Sequence, residues 1–315
     1  MGAILATMMM PPPRPTVHFL GLVIMITVSL AAWCCRGERP APIFDGARAF
    51  ALLVRQTEMG PRSPGSPGWA RFQDMMKSYF DSLGIDADTQ TFAYPDYLNG
   101  DTVTFVNWIV RINPSSSDRI LIGAHYDSRP RADYDPDATR RNEPISGAND
   151  GASGAAVLMH LAELMKAAAP PIGVDLVFFD GEDYGPAGRN NQYLLGSTHF
   201  ASRPKPAYRF GIVIDMIGDR DLRIYREFFS ERYAKEINDK VWAAAARLGV
   251  GQFVDSVKHE ILDDHLPLIS AGIPAIDIID FDYPSWHTHA DTPDKCDAAS
   301  LLAVGRVLVD IIYGT

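Results

Sequence analysis

The sequence predicts an α/β fold: a single-domain α/β/α sandwich with a mostly parallel, mixed central sheet and helices on both of its faces. Three observations support this prediction. Apolar runs of strand length alternate along the chain with segments of helical period. Several of these apolar runs end directly at a histidine or an aspartate. The chain has 315 residues, 47% of them hydrophobic, which is enough to bury one large core.

The predicted elements follow one another in the alternating order that is typical of α/β folds. The segment 152–169, for example, repeats its apolar residues at helical spacing, whereas 174–179 is a short and almost wholly apolar run. Helices are predicted over residues 45–55, 68–83, 152–169, 193–203, 231–248 and 297–312. Strands are predicted over residues 102–112, 119–124, 174–179, 210–214 and 273–279.

The N-terminal 40 residues are predicted to be a signal peptide or membrane anchor plus a linker, and residues 41–315 to be one folded α/β domain. Residues 19–32 form an uncharged apolar run that is short for a membrane span and typical of a secretion signal. Cys34 and Cys35 follow it, so a lipoprotein is one alternative and an uncleaved anchor is another. In each case we expect the domain to be exported, to the periplasm or outside the cell.

Composition excludes some classes of function. The net charge of −10 argues against a protein that binds the phosphate backbone of nucleic acids. Cys296 is the only cysteine of the predicted domain, so an intramolecular disulfide and a thiolate metal site are excluded there. No dimerisation signal is present, and we expect a monomer. The local basic residues alternate with acidic ones and are interpreted as a solvated loop: Arg129, Arg131, Arg140 and Arg141.

Polar side chains stand where four of the predicted strands end: His125, Asp180, Asp215 and Asp280. A single histidine or aspartate in such a place is more often structural than functional. In open α/β sheets, however, ligands bind beyond the carboxyl ends of the strands. Because four separate strands show the same feature, we expect a functional site at this edge of the sheet.

Further motifs carry groups suited to metal binding. The glycine-rich turn 146–154 places Asp150 before a helix, where it is either an ordinary N-terminal cap or a carboxylate that bridges to a metal. The turn lacks the spacing and the lysine of a phosphate-binding loop. Glu182 and Asp183 are adjacent carboxylates after a strand, and they repel each other unless a cation or a shared proton relieves them.

Two more motifs lie towards the C-terminus. Asp263 and Asp264 precede His265, and Trp286 precedes His287 in the loop before the last helix. Imidazole and carboxylate groups without sulfur suit a zinc ion with an open coordination position. A carboxylate that the metal does not use is then available for proton transfer. The sequence therefore predicts a zinc enzyme.

The chain resembles the zinc aminopeptidase and glutaminyl cyclase superfamily in seven segments that occur in the family's order: HYD, NDGASG, FFDGED, IDMIGD, DDHLP, GIPAIDI and WHT. The resemblance extends from about residue 49 to the C-terminus. It implies an enzyme that acts on the N-terminus of peptides or proteins. Three features resemble the bacterial glutaminyl-peptide cyclotransferases: the acidic pair in DDHLP, Trp286 before His287, and Asp277 where animal enzymes have histidine.

The cyclase resemblance implies one zinc ion and a role for each matching residue. Glu182 would be the general acid and base, Asp263 would share a proton with Asp215, and Trp286 would form an apolar wall for the glutamine side chain. The reaction would convert N-terminal glutamine to pyroglutamate with release of ammonia. The implied residues are, for the metal, Asp150, Asp183 and His287; for catalysis, Glu182, Asp263 and Asp215; and for the substrate, Trp286.

A two-zinc aminopeptidase is the alternative within the same superfamily. There Glu182 would activate a water molecule, and His125 with Asp215 would hold the second zinc ion. A third hypothesis, a metal-free scaffold on this fold, predicts lost ligands, whereas the chain keeps them. Two residues depart from the family pattern. Asp183 replaces the more usual glutamate ligand, and its shorter side chain bears on the coordination geometry. Gly188 stands where animal cyclases have a pocket tryptophan, so the resemblance does not predict the rim of the substrate pocket.

Overall fold

The structure is a computed structural model that describes residue 10 and residues 41–96, 100–186 and 188–314. The chain divides into two units, Met1–Pro40 and Ala41–Thr315. The predicted signal or anchor segment lies outside the described residues. Among the residues that are described, no helix has both the length and the apolar character needed to cross a membrane.

Helices and strands alternate along the second unit in the predicted manner. The α-helices described are α1 Gly46–Thr57, α2 Pro67–Leu83, α3 Ala152–Ala167, α4 Leu195–Ala201, α5 Phe228–Tyr233, α6 Lys235–Leu248, α7 His265–Ser270 and α8 Ala298–Tyr313. The strands described are β1 Ala87–Pro95, β2 Thr102–Ile112, β3 Arg119–His125, β4 Gly173–Phe179, β5 Gly211–Asp215, β6 Ile224–Arg226, β7 Phe253–Val257 and β8 Ala275–Ile279. Short 3₁₀ turns cover Asn190–Gln192 and Pro293–Lys295.

The main sheet has six strands in the order β1-β2-β4-β3-β5-β8. Strands β4, β3, β5 and β8 run parallel to one another, while β1 and β2 are antiparallel to their neighbours. Every residue of the four parallel strands is buried. Helices therefore have to cover both faces of this part of the sheet, as is usual for parallel strands.

The two faces of the sheet pack against different sets of helices. Side chains alternate along each strand, so Ile120 and Ile122 of β3 join one apolar cluster and Leu121 joins another. The first and larger cluster includes residues of α1, α2, α3, α6 and α8. The second includes Phe200 of α4 and Leu268 of α7. The predicted α/β/α sandwich with a mixed sheet is confirmed.

Local signals explain where the helices begin and end. Ser66 accepts a hydrogen bond from the Trp69 amide at the start of α2, and Pro67 occupies the first turn. Gly84 ends the same helix in the left-handed conformation, with φ of 61°. At the other end of the chain, Asp297 accepts a hydrogen bond from Ala299 and starts α8.

Five elements differ from the prediction: strand β1, the helix predicted over 231–248, strands β6 and β7, and helix α7. Strand β1 was not predicted because its outer side is exposed and its sequence, ADTQTFAYP, is mostly polar. The helix predicted over 231–248 is two helices, because Ala234 between them leaves helical geometry with φ of −142°. A short parallel pair, β6 and β7, and helix α7 over the DDHLP segment were also absent from the prediction.

Candidate metal centre and active site

The site lies at the carboxyl ends of three adjacent parallel strands. His125 ends β3 and Asp215 ends β5, while Glu182 and Asp183 follow β4 directly. Asp150 comes from the turn before α3. Because parallel strands end at the same edge, residues far apart in the sequence meet here.

The predicted ligands form two groups that share Asp150. In each group the candidate ligand atoms lie within 4.8 Å of one another. In the first, His287 Nε2 is 3.3 Å from Asp183 Oδ2 and 3.6 Å from Asp150 Oδ2. In the second, His125 Nε2 is 3.2 Å from Asp150 Oδ1 and 3.0 Å from Asp215 Oδ1. Asp150 thus presents one oxygen to each group.

The first group fits a divalent cation. Asp150 Oδ2 and Asp183 Oδ2 are buried and have no hydrogen-bond partner among the described residues. Buried carboxylate oxygens are costly unless a donor or a cation compensates them. Two carboxylates and one imidazole, without sulfur, are a donor set that suits zinc and leaves a coordination position for a substrate.

The turn that carries Asp150 is held by a carboxylate that the sequence analysis did not identify. Asp291 is buried and accepts hydrogen bonds from the amides of Asn149 and Asp150, at 2.8 and 3.2 Å. Gly151 has φ of +98°, and a Cβ atom there would lie 2.3 Å from the carbonyl oxygen of Asp127. The glycine-rich sequence therefore allows a tight turn behind the carboxylate, as predicted.

Asp127 organises the other side of the site. Its two carboxylate oxygens accept hydrogen bonds from the amides of Glu182 and Asp183, at 3.2 and 3.3 Å. One oxygen also lies 3.5 Å from His125 Nδ1. Carboxylates in this position orient a metal-binding histidine and fix its tautomer. The signal was present in the HYD segment, where only the histidine was singled out.

Arg129 contradicts the interpretation of its segment as a solvated loop. Its side chain is buried, and it donates to Asp183 Oδ1 at 2.5 Å and to the Tyr193 hydroxyl at 2.8 Å. Arg140 and Arg141 of the same segment are exposed, as predicted. The prediction was wrong for Arg129 because its burial depends on contacts with Asp183 and Tyr193 in the segment after β4, which no local pattern reports.

Burial and nearby charges give the adjacent carboxyls of Asp183 and Glu182 pKa values that are shifted in opposite directions. Burial by itself raises the pKa of the Asp183 carboxyl, but Arg129 and then His287 outweigh it and hold that pKa below its usual range. Burial raises the pKa of Glu182 well above its ordinary value, and the negative charge of Asp183 adds to the effect even though His125 opposes it. Adjacent carboxyls with different proton affinities are suited to different roles.

Asp263 belongs to a second group of buried acids behind the site. Burial and then the charge of Asp215 raise the pKa of Asp263 to about 6. Burial also raises the pKa of Asp264 and of Asp277 well above the ordinary value. His265 faces away from the cavity, with Nε2 at 3.2 Å from a carboxylate oxygen of Glu227. Glu227 also accepts the Ile261 amide, which fixes the segment before Asp263.

A cavity of about 570 Å³ opens onto these groups. The residues predicted as general acid and base, as catalytic aspartates and as ligands of the first group all line it, and so does Trp286. The Trp286 ring centre lies 4.0 Å from that of His287, 4.8 Å from that of Phe281 and 5.2 Å from that of Tyr134. These rings give one wall of the cavity an apolar, aromatic character. The lining residues include Gly188 on the opposite loop, which adds no side chain there.

Some predicted residues lie elsewhere. Asp180 is buried beside the site but accepts hydrogen bonds from the Trp69 indole and the Val106 amide. Asp280 accepts the amides of Arg223 and Asp282. Of the four polar strand ends, only His125 and Asp215 therefore belong to the candidate metal groups. His289, two residues after His287, is half-buried, and its Nδ1 lies 2.8 Å from an oxygen of Asp135.

Asp280 gives a prediction for stability. Burial raises its pKa to about 6, so the folded protein binds a proton there that the unfolded chain, with a pKa near 3.8, has released. The stability that this proton confers is complete below about pH 4 and is lost as the pH rises through 6. We compare the free energy of unfolding of Asp280→Asn with that of the parent chain by urea unfolding at pH 4 and at pH 7.5. Relative to the parent chain, we expect the variant to be about 1–3 kcal/mol more stable at pH 7.5 than at pH 4.

The exposed Asp74 on α2 offers a matched control for this change. We expect Asp74→Asn to shift the free energy of unfolding by a similar small amount at both pH values. A constant difference between Asp280→Asn and the parent chain across this range would show that Asp280 does not bind the extra proton.

Comparison with known proteins agrees with the geometry of the site. The sequence profile described as peptidase family M28 matches residues 107–312. The solved glutaminyl cyclase of Bacteroides thetaiotaomicron is 34% identical, with a TM-score of 0.84, over 88% of this chain and 100% of that one. A structure from the same species described as a leucine aminopeptidase precursor is 35% identical, with a TM-score of 0.85, over 88% and 99%.

A more distant relative is also a glutaminyl-peptide cyclotransferase. The glutaminyl-peptide cyclotransferase of Bothrops jararaca is 25% identical over 282 residues, which cover 78% of this chain and 75% of that protein. The resemblance noted in the sequence is thereby confirmed. The chain belongs to peptidase family M28, and its relatives there place it with the glutaminyl cyclases of the zinc aminopeptidase-like superfamily.

Proposed function

We propose that this protein is a zinc-dependent glutaminyl-peptide cyclotransferase, which converts the N-terminal glutamine of a peptide to pyroglutamate and releases ammonia. The observation that carries the proposal is the position of Glu182. Its carboxyl, with a raised pKa, lines the same cavity as Asp150, Asp183 and His287. Cyclisation needs one group that first accepts a proton and then returns it, beside a group that polarises a carbonyl.

The reaction transfers one proton and replaces one C–N bond with another. The α-amine of the substrate attacks its own γ-carboxamide carbon, so a ring C–N bond forms and the bond to the amide nitrogen breaks. Glu182 accepts a proton from the amine and donates it to the departing nitrogen, which leaves as ammonia. When bound by Asp150, Asp183 and His287, zinc supplies Lewis acidity towards the γ-carbonyl oxygen. No water molecule enters the products.

The other cavity residues position the substrate. Trp286 and the neighbouring Phe281 provide an apolar surface for the methylene groups of the glutamine side chain. Asp263 lines the same cavity, and burial together with the charge of Asp215 raises its pKa to about 6. When ionised, above that pH, it can accept a hydrogen bond from the reacting nitrogen.

We propose a single zinc ion, at the first ligand group. His125 Nε2 lies directly against Asp215 Oδ1 at 3.0 Å, so the second group can compensate its own charge. Among the carboxylate oxygens of the two ligand groups, the buried ones without a hydrogen-bond partner are Asp150 Oδ2 and Asp183 Oδ2, and both face His287 in the first group. This difference supports one strong cation site rather than two equal ones.

The metallo-aminopeptidase remains the second candidate. The second ligand group, His125, Asp150 and Asp215, favours it, because these residues are close enough to hold another ion. In that reaction Glu182 would activate a water molecule for attack on the first peptide bond. Its product is the free N-terminal residue, which a mass measurement separates from a cyclised peptide.

The product assay distinguishes the two reactions. We expect the purified, zinc-loaded full chain to lower the mass of a Gln-initiated peptide by roughly 17 Da, as cyclisation by proton transfer requires. One equivalent of ammonia should be released at the same time. The same peptide with glutamine moved to its second position is the control and should be unchanged. Release of free glutamine would overturn the cyclase proposal in favour of the aminopeptidase.

We also propose that the enzyme is exported and acts as a monomer on peptide or protein N-termini. The apolar run at residues 19–32 supports export, to the periplasm or beyond the cell. Membrane attachment, if the segment is kept or lipidated, would involve this segment alone.

A further inference from the structure

Arg129 places a buried guanidinium beside Asp183 of the candidate metal site, where it also lines the cavity. Its side chain is 1% exposed. Nη1 donates to Asp183 Oδ1 at 2.5 Å and to the Asp183 carbonyl at 3.2 Å, and Nη2 donates to the Tyr193 hydroxyl at 2.8 Å. Nε donates to Asp133 at 2.7 Å. All three nitrogen atoms are engaged, so the orientation of the guanidinium is fixed.

Because of the contact with Arg129, the two carboxylate oxygens of Asp183 have different surroundings. Oδ1 accepts from Arg129, whereas Oδ2 lies 3.3 Å from His287 Nε2 and has no hydrogen-bond partner among the residues that the structure describes. The Asp183 amide is held as well, by a carboxylate oxygen of Asp127 at 3.3 Å. With both its backbone and one oxygen tied, the carboxylate cannot turn to present both oxygens to a cation in the first group.

We propose that Arg129 is a positioning residue, which reserves Oδ2 of Asp183 as a single-oxygen ligand of the metal ion. The inference rests on the proposed function in one respect, namely that Asp183 binds the metal. Groups that hydrogen-bond to a ligand set its orientation, and changing them weakens metal binding. The planar fork of arginine can hold Asp183 and Tyr193 at once, whereas the single ammonium of lysine cannot reproduce that geometry.

Metal titration of the full chain tests this role without any activity measurement. The chain is stripped with a chelator, and zinc binding is followed against a competing indicator. We expect Arg129→Gln and Arg129→Lys each to weaken zinc binding about 10- to 100-fold. Arg140→Gln is the matched control, since Arg140 is exposed and pairs with Glu143 in the same segment, and it should bind as the parent chain does. Unchanged or tighter binding in Arg129→Gln would overturn the proposal.

Cobalt provides a direct report on the ligand atoms. In Arg129→Gln the freed Oδ1 of Asp183 can join Oδ2 in binding the ion, so the coordination number rises. The visible absorption of bound Co²⁺ should then be weaker in the variant than in the parent chain, because more highly coordinated sites absorb less. Identical spectra would count against the proposal. Arg129→Lys should show the same direction of change, which a simple loss of charge would not produce.

If the variants do not fold, a crystal structure of the zinc-loaded parent chain tests which oxygens of Asp183 bind the ion. Asp183 bound through Oδ2 alone, with Arg129 on Oδ1, would support the proposal, and a two-oxygen Asp183 ligand would refute it. The outcomes also separate this inference from the proposed function. If the parent chain binds zinc and cyclises glutamine while the Arg129 variants bind zinc equally well, only the role of Arg129 fails. If the parent chain binds no metal through Asp183, the proposed function fails as well.

Discussion

Glu182→Gln is expected to lower kcat for cyclisation of a Gln-initiated peptide by about 100- to 10,000-fold, the range for loss of a general acid and base. The amide keeps the size of the side chain but can no longer accept the proton of the attacking amine. KM and zinc content should change little, because Glu182 is not among the ligand groups. Ammonia release over time, with zinc measured by elemental analysis, gives both quantities.

The exposed Glu236 on α6 provides the same substitution away from the cavity. We expect Glu236→Gln to cyclise the peptide at the parental rate. Should Glu182→Gln keep more than a tenth of the parental kcat, another residue must carry the proton. Asp263, which lines the same cavity, would be the first to examine.

His287→Ala is expected to remove the zinc ion and, with it, nearly all activity. The loss of carbonyl polarisation corresponds to about 4 kcal/mol, or roughly a thousandfold in rate. We expect the purified variant to contain much less zinc than the parent chain, and added zinc to restore little activity. Treating the parent chain with a chelator should have the same effect, and zinc should reverse it there.

His125→Ala is the matched control for metal content. Both histidines are buried and belong to one ligand group each. With a single ion at Asp150, Asp183 and His287, the His125 variant should keep about one equivalent of zinc. If the parent chain carries two equivalents and the His125 variant one, the second group is also occupied, and the single-zinc proposal is wrong.

The sequence was sufficient where the physical signal is local. The buried strands β3, β4, β5 and β8 are short apolar runs, and the predicted bounds of their segments agree with the structure to within two residues. His125 and Asp215, at the ends of β3 and β5, lie at one edge of the sheet as the same pattern predicted, because the direction of a parallel strand decides which edge its last residue reaches. The turn around Asp150 was predictable from its glycines.

Other features could not be predicted because they depend on contacts between distant segments. Arg129 belongs to a run of mixed charges that is typical of an exposed loop, and its pairing with Asp133, Asp183 and Tyr193 makes burial favourable. Asp291 follows the last histidine motif with no signal of its own. The edge strand β1 is half-exposed, so its apolar alternation is weak.

The contact between Asp291 and the turn at Asp150 has a consequence for how the site would open. Asp291 lies in the same loop as His287. Its carboxylate accepts hydrogen bonds from two backbone amides of the turn that carries Asp150. Two candidate ligands from remote parts of the chain, Asp150 and His287, therefore depend on one loop. A displacement of this loop would move both residues together, so we expect an ion bound there to be released in a single step rather than by a stepwise loss of ligands.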